Sequence, residues 1–267
     1  MGAYRLGAVV YHPKVEQIWE AFGAWFAEQG FAIDVAFFDS YDEQVETLLE
    51  ARIDAAWNTN LAFVQTLERT DGHCRAIAMR DTDIGWRSLI VTAGNGGIES
   101  LDDLHGRRVG FGDLDSPQAY ILPVHALRRA GFDPARDCVA SRLDRDIGKH
   151  GDTGGAELAQ LARLRAGELD ACVVSSVTYE AVGRLGDASG LRVVWTSPPF
   201  NHCNFTVLEG SRADHDRFAE LLLSMDAADP KLCEPMELEY VNSWVDADTS
   251  GYGDLIAAVR ADPVPVG

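Results

Sequence analysis

The feature that most restricts this chain is the order in which its apolar residues recur. Short continuous runs alternate with stripes spaced three and four residues apart, and the alternation happens twice. Leu6 to Val10 reads as a buried strand, and Val15, Ile18, Trp19, Phe22, Trp25 and Phe26 then fall on one helical face. A second strand is predicted from Ala32 to Phe38, a helix carrying Val45, Leu48 and Leu49, a third strand from Asp54 to Trp57, and a helix from about Asn60 carrying Leu61, Val64 and Leu67. Such a β-α-β-α order predicts parallel strands joined by right-handed crossovers. After a strand at Arg87 to Thr92, the glycine-rich residues 93–97 break the pattern, and a second series begins. It is read as a strand from Arg108 to Phe111, a helix over about 118–130, a strand from Cys138 to Arg142, a helix over about 156–166, and strands at Ala171 to Ser175 and Leu191 to Trp195.

The two series echo each other. Leu48-Leu49-Glu50-Ala51-Arg52-Ile53-Asp54-Ala55 parallels Leu164-Arg165-Ala166-Gly167-Glu168-Leu169-Asp170-Ala171, and in both a helix ends at a small residue and turns into a strand through Asp-Ala. Pro198-Pro199 is a stiff break, Phe205 to Leu208 a strand able to return to the first series, and helices are predicted over about 213–224 and 253–259. Crossings near 93–98 and 197–204 give an α/β molecule of two lobes, lobe 1 from residues 1–93 and 203–267 and lobe 2 from 94–202. Each lobe is expected to be a mostly parallel sheet flanked by helices, with a ligand cleft between the lobes.

Composition narrows the partners. Lys and Arg number 23 against 42 Asp and Glu, a formal charge of −19, and there is no basic run, so nucleic acid and anionic membrane surfaces are excluded as main partners. No apolar stretch reaches the roughly 18 residues of a membrane helix, so no membrane insertion is expected. The five cysteines are odd in number and form no C-x-x-C, which points to reduced thiols. The opening run passes straight into a strand and is too short for a signal peptide's apolar region, which points to the cytoplasm for the chain as given, and to an extracytoplasmic site if a signal peptide was removed.

Four stretches resemble the phosphate/phosphite/phosphonate-type periplasmic substrate-binding proteins, which have the type 2 periplasmic-binding-protein fold: Leu6-Gly7-Ala8-Val9-Val10-Tyr11-His12-Pro13, Arg52-Ile53-Asp54-Ala55-Ala56-Trp57, residues 97–109 with Asp102-Asp103-Leu104-His105-Gly106 at their centre, and Asp115-Ser116-Pro117-Gln118-Ala119-Tyr120. The resemblance implies two lobes closing on a small polar ligand, anionic or zwitterionic, and an ABC permease as partner if the native form is exported. This chain departs from the family where the family's hydroxyl-rich turn would lie, because Pro117 and Ala119 supply no side-chain donor.

In open α/β sheets ligands bind beyond the carboxyl ends of strands, where helix N-termini offer free N–H groups. Those positions nominate Tyr11, His12, Trp57, Asn58, Asn60, Ser116, Gln118, Tyr120, Ser175 and Asn204 as ligand-binding residues. Asn58 or Asn60 also reads as a helix N-cap, as does Ser116 with Pro117 after it, and Tyr11 and Trp57 read equally as core. Arg87 is either a counter-ion for the ligand or a surface partner of Asp81 or Asp83.

A second reading is an enzyme on the same scaffold. The loop Gly148-Lys149-His150-Gly151-Asp152-Thr153-Gly154-Gly155-Ala156-Glu157 sets His, Asp and Glu on a backbone able to approach a ligand closely, and Asn201-His202-Cys203-Asn204 lies at the second crossing. His150, Asp152 and His202 would then carry acid–base chemistry, or His12, His150, His202 and Cys203 would bind Fe, Zn or Cu. No G-x-S-x-G, P-loop, dinucleotide or local zinc motif is present.

Overall fold

Strand pairing sorts the chain into two units, which the computed structural model describes over residues 2–94, 96–186, 189–212 and 214–263. The first unit holds the residues up to 84 together with 201–252, and the second holds 85–200 and those from 253 onward. The first unit opens with β1 (Tyr4–Val9), α1 (Lys14–Glu28), β2 (Ile33–Phe38), α2 (Tyr41–Leu49), β3 (Ala55–Asn58), α3 (Asn60–Arg69) and β4 (Cys74–Arg80). The second contains β5 (Ser88–Ala93), β6 (Arg108–Gly110), α4 (Leu122–Arg129), α5 (Pro134–Asp137), β7 (Val139–Ser141), α6 (Gly155–Arg165), β8 (Ala171–Ser175), α7 (Ser176–Arg184) and β9 (Leu191–Thr196). The chain returns to the first unit for β10 (Asn204–Leu208), α8 (His215–Leu223), α9 (Cys233–Leu238) and β11 (Trp244–Val245), and finishes in a second-unit helix, α10 (Gly253–Ala261). The predicted helix start at Ala213 lies outside the described residues, as does Asn95 in the glycine-rich segment.

Both sheets are mixed. The first runs in the order β11-β4-β10-β3-β1-β2 and the second β7-β6-β8-β5-β9. β1 pairs in parallel with β2 and β3, and β6 with β7 and β8, as crossover helices require. The departures from parallel pairing centre on β10 and β5, each antiparallel to both of its neighbours, and each is the strand by which the chain enters a unit after leaving the other. This moves the predicted boundaries. β5 pairs with β8 and β9, so the chain leaves the first unit at residue 84 rather than after 93. Residues 201 and 202 belong to the first unit, and the end of the chain from 253 belongs to the second, where α10 buries Leu255 and Ala258 and Arg128 and Arg129 of α4 pair with Asp262 and Asp254.

The apolar stripe of α1 does what its spacing dictates: all six residues are buried on the first sheet, and Phe205 of β10 packs against Trp19 and Trp57 with ring centroids 5.8 and 4.7 Å away. Transferring such side chains from water supplies roughly 1.5–3 kcal/mol each. In the second unit Ile90, Val109, Phe111, Leu127 and Val173 form the corresponding layer.

The sequence echo is a structural echo. Arg5 gives its backbone N–H to Asp54 Oδ2 (2.8 Å) and its guanidinium to both carboxylate oxygens (Nε 3.2 Å, Nη2 2.7 Å), while Asp54 N returns a bond to Arg5 O (2.7 Å). Arg108 and Asp170 repeat every one of these bonds, at 2.8, 3.1, 2.8 and 2.9 Å. The match extends back to buried Gln44 and Gln160, four residues before Leu48 and Leu164, whose side-chain amides bond carbonyls near the ends of β3 and β6, Trp57 O at 2.9 Å and Phe111 O, just past β6, at 2.6 Å. Both helices approach a glycine: a Cβ on Gly7 would lie 2.6 Å from Ile53 Cδ1 and 3.0 Å from Gln44 Oε1, and one on Gly110 would lie 2.5 Å from Leu169 Cδ1 and 2.7 Å from Gln160 Oε1. Gly7→Ala and Gly110→Ala are therefore each expected to cost about 1–3 kcal/mol in urea unfolding through overpacking. Gly253→Ala, where a Cβ meets nothing within 4 Å, should cost nothing measurable.

Candidate functional site

In the first unit the carboxyl end of β3 lies beside the amino end of antiparallel β10, with Asn58 opposite Asn204. Thr59, rather than the expected Asn58 or Asn60, caps α3, its Oγ1 accepting from Ala62 N at 3.1 Å. That leaves the asparagines to other work. Asn58 Oδ1 accepts from Gln44 Nε2 (2.8 Å), and Asn60 Nδ2 donates to Asn201 O (3.0 Å). Asn58 Nδ2 and Asn60 Oδ1 are buried with no partner among the described residues. Asn204 is held in place, accepting from Thr206 Oγ1 at 2.8 Å and donating to Tyr252 Oη at 3.1 Å, and Tyr252 Oη in turn donates to His202 O at 2.7 Å.

The other first-unit candidates fall differently. Trp57 is core: it is buried against Phe205 and Trp244, and its Nε1 donates to Glu239 Oε1 at 3.1 Å. Tyr11 is half-buried and packs on the same core, whereas His12 is exposed and its Nδ1 accepts from Lys14 N at 3.2 Å. His202 and Cys203 meet in the interior, Nδ1 and Sγ 3.0 Å apart, beside a buried ion pair in which Arg80 Nε and Nη2 reach Asp83 Oδ2 and Oδ1 at 2.6 and 2.9 Å. Burial pushes the His202 imidazole down to about 4, so it is neutral at pH 7.

In the second unit the turn after β6 and the loop before α6 close on one another. Asp115 Oδ2 accepts from Gly148 N at 2.6 Å and His150 N at 3.4 Å, Asp113 Oδ1 accepts from Arg145 N at 2.7 Å, and Gln118 Nε2 donates to Gly151 O at 3.2 Å. Gly151 has φ +78, and a Cβ there would lie 2.4 Å from Ser116 Oγ. His150, buried beside it, adopts φ +52, rare for a residue with a side chain. Ser116 is the cap read from the sequence, with Oγ accepting from Ala119 N at 3.2 Å, but it opens a π turn over Pro117–Ile121 before α4, not the regular helix expected from 118. Ser175 caps α7 and gives both its N–H (2.7 Å) and its O–H (2.9 Å) to Glu157 Oε2. Tyr120 is half-buried under Arg142, whose Nη1 lies 3.2 Å from its hydroxyl. Arg87 is exposed and donates to Ser197 O, while Asp81 and Asp83 are engaged by Asn242 and Arg80.

Three carboxylates of this unit are buried, Asp113 and Asp115 after β6 and Glu157 in the first turn of α6, and its described residues include no buried Lys or Arg. Burial raises Asp113, Asp115 and Glu157, with Asp115 pushed up to about 6. Asp115 Oδ1, Asp113 Oδ2 and Gln118 Oε1, all acceptors, have no partner among the described residues.

The set expected for acid–base chemistry is divided, His150 and half-buried Asp152 in the second unit and His202 in the first. The expected metal set is divided likewise. Among the described residues, the metal-capable group is Asp83, His202 and Cys203. Asp83 was legible only as a surface partner for Arg87, and Asp113 and Glu239 carry no sequence signal, because their roles depend on contacts with distant segments.

Two α/β units, each a mixed sheet with helices, make up the type 2 periplasmic-binding fold. A model of the family described as ABC transporter, phosphonate, periplasmic substrate-binding protein matches residues 9–252, and the chain belongs to that family. Solved structures show the same fold at low identity. The Prochlorococcus marinus protein PhnD1 in complex with methylphosphonate is 17% identical with a TM-score of 0.71, covering 97% of both chains. A Xanthomonas citri protein bound to ATP is 17% identical with a TM-score of 0.75, covering 98% of both. A binding-protein component of an ABC phosphonate transporter from Pseudomonas aeruginosa is 17% identical with a TM-score of 0.63, covering 97% of this chain and 84% of that one.

Asp115 predicts a pH dependence. A carboxyl whose folded pKa lies above its unfolded value binds its proton more tightly when folded, so its contribution is complete below about pH 4 and is lost as pH rises through about 6. The shift corresponds to about 3 kcal/mol. Asp115→Asn should remove most of that decline when urea unfolding is compared at about pH 4 and about pH 7. An unchanged decline contradicts the assignment.

Proposed function

We propose that this protein captures a small zwitterionic molecule, an anionic group joined to an amine, through the polar atoms at its strand ends. The observation that carries this reading is the set of buried, unpartnered polar atoms there: Asn58 Nδ2 and Asn60 Oδ1 in the first unit, Asp115 Oδ1 and Gln118 Oε1 in the second. A buried polar group left without a hydrogen bond costs about 1–3 kcal/mol, which a bound ligand recovers. The second unit's acceptors and carboxylates suit a cationic, hydrogen-donating group, and the missing hydroxyls at Pro117 and Ala119 count against a purely anionic ligand at that turn. Against a global charge of −19, the ligand's anion is left to local dipoles and amide donors such as Asn58 Nδ2. In an exported form the partner this reading implies is an ABC permease, with the ligand handed to it.

Calorimetry and thermal unfolding with methylphosphonate, aminomethylphosphonate and inorganic phosphate test this reading. Aminomethylphosphonate should bind most tightly and stabilise the protein by about 2.7 kcal/mol at a hundredfold excess over Kd. The first-unit variant Asn58→Ala and the second-unit variant Gln118→Ala should each weaken it about tenfold, or about 1.4 kcal/mol. Preference for methylphosphonate, or full affinity in both variants, contradicts the proposal.

A further inference from the structure

One charged cluster in the interior of the first unit lies outside the set of atoms proposed for ligand capture. Arg80 ends β4, Asp83 lies in the single 3-10 turn that follows, and His202 and Cys203 lead into β10, the neighbour of β4 in the sheet. The main chain pins the two segments together, His202 N donating to Asp83 O at 2.9 Å, and Tyr252 Oη holds His202 O from the other side. The side chains then converge. His202 Nδ1 lies 3.0 Å from Cys203 Sγ and 3.8 Å from Asp83 Oδ1, and one donor atom from each of the three residues falls within 4.8 Å of the other two. All three residues are at most 1% exposed.

We propose that Asp83, His202 and Cys203 form a binding site for one divalent transition-metal ion of the zinc class. The donor set is right for such an ion, one sulfur, one imidazole nitrogen and one carboxylate oxygen, and the 3.0 and 3.8 Å separations from His202 Nδ1 lie within roughly half an ångström of the donor–donor distances that tetrahedral bonds of about 2.0–2.3 Å require. Asp83 has capacity to spare, because Arg80 takes one hydrogen bond on each carboxylate oxygen and each oxygen has a second lone pair. The surroundings supply charge of both signs: Arg80, the one buried cation among the described residues, faces the buried side chains of Asp83 and Glu239. A divalent ion with Cys203 as thiolate adds one net positive charge beside them, and buried charge is tolerated where it is paired. The thiol proton leaves to solvent when the ion binds. Burial of all three ligands means that the ion enters during folding and exchanges slowly afterwards.

Co2+ is the probe, because a thiolate ligand gives it a charge-transfer band in the near ultraviolet. Full-length protein without a histidine tag is refolded with Co2+, its folding checked by circular dichroism and its metal content measured. One Co2+ per chain and the charge-transfer band are expected for the wild type and for Cys233→Ser, which alters an exposed cysteine. Cys203→Ser should lose the band and bind less than about a tenth as much metal. His202→Gln, which keeps a polar side chain, should likewise fall below one equivalent. Folded wild type without the band, or a band that survives in Cys203→Ser, overturns the proposal. Neither result depends on the ligand that the strand ends take.

Discussion

An aspartate at the head of one strand, holding both the backbone N–H and the guanidinium of the arginine opposite, fixes the register on which each unit is built. Charge-assisted bonds of this kind are short and directional. Arg5 with Asp54 aligns β1 and β3, and Arg108 with Asp170 aligns β6 and β8. A slip of one residue would turn every core side chain of those strands toward the opposite face. Each alignment also decides which residues stand at the far end of the strand, Asn58 at the end of β3 and Ser175 at the end of β8. Gln44 and Gln160 reinforce it by bonding carbonyls at the carboxyl ends of β3 and β6 from the covering helix, whose close approach Gly7 and Gly110 allow. The same solution, used twice, places polar residues at the strand ends of both units.

Those ends differ in chemistry. In the first unit they are amides: Asn58, Asn60 and Asn204, braced by Gln44, Asn201 and Tyr252. In the second they are carboxylates and a serine cap, with Glu157 already holding the N–H and O–H of Ser175 and Asp115 holding the glycine-rich loop. Buried carboxylates without a buried cation are expensive, and their pKa values rise accordingly. Donors brought by a ligand lower that cost, and this chemistry is the basis on which a zwitterion is proposed in place of a simple anion.

Much of the fold was legible because it is written in local periodicity. The α1 stripe, the start of α3 at Asn60 and both ends of β8 follow from apolar spacing, although the cap of α3 is Thr59 and not the asparagine on either side of it. The Asp-Ala echo was visible as well, although its cause, the arginine clamp, appears only once the strands are paired. What escaped the sequence has nonlocal causes. β4 carries Arg75 within its run and Arg80 at its end, and Arg80 is held by Asp83 and Glu239, both outside that run. α7 buries Val182 alone and so shows no stripe. β5 looks like the last strand of the first series, and only its pairing with β8 and β9 assigns it to the second unit. Among site residues, the amides and serines at strand ends could be read from position, while Trp57 turned inward because Glu239, distant in sequence, supplies a partner for its indole N–H. The histidines could not be grouped from sequence, since nothing local distinguishes exposed His12 from buried His150 and His202.

The central claim is that buried polar side chains at the strand ends receive the ligand. Nitrogen-15 NMR of the side-chain amide groups reads this directly, with aminomethylphosphonate titrated into the full-length protein. The Asn58, Asn60 and Gln118 amide resonances should move on binding, with that of exposed Gln29 as a stationary reference. Saturable binding that leaves those three amides in place while resonances elsewhere shift would contradict the account.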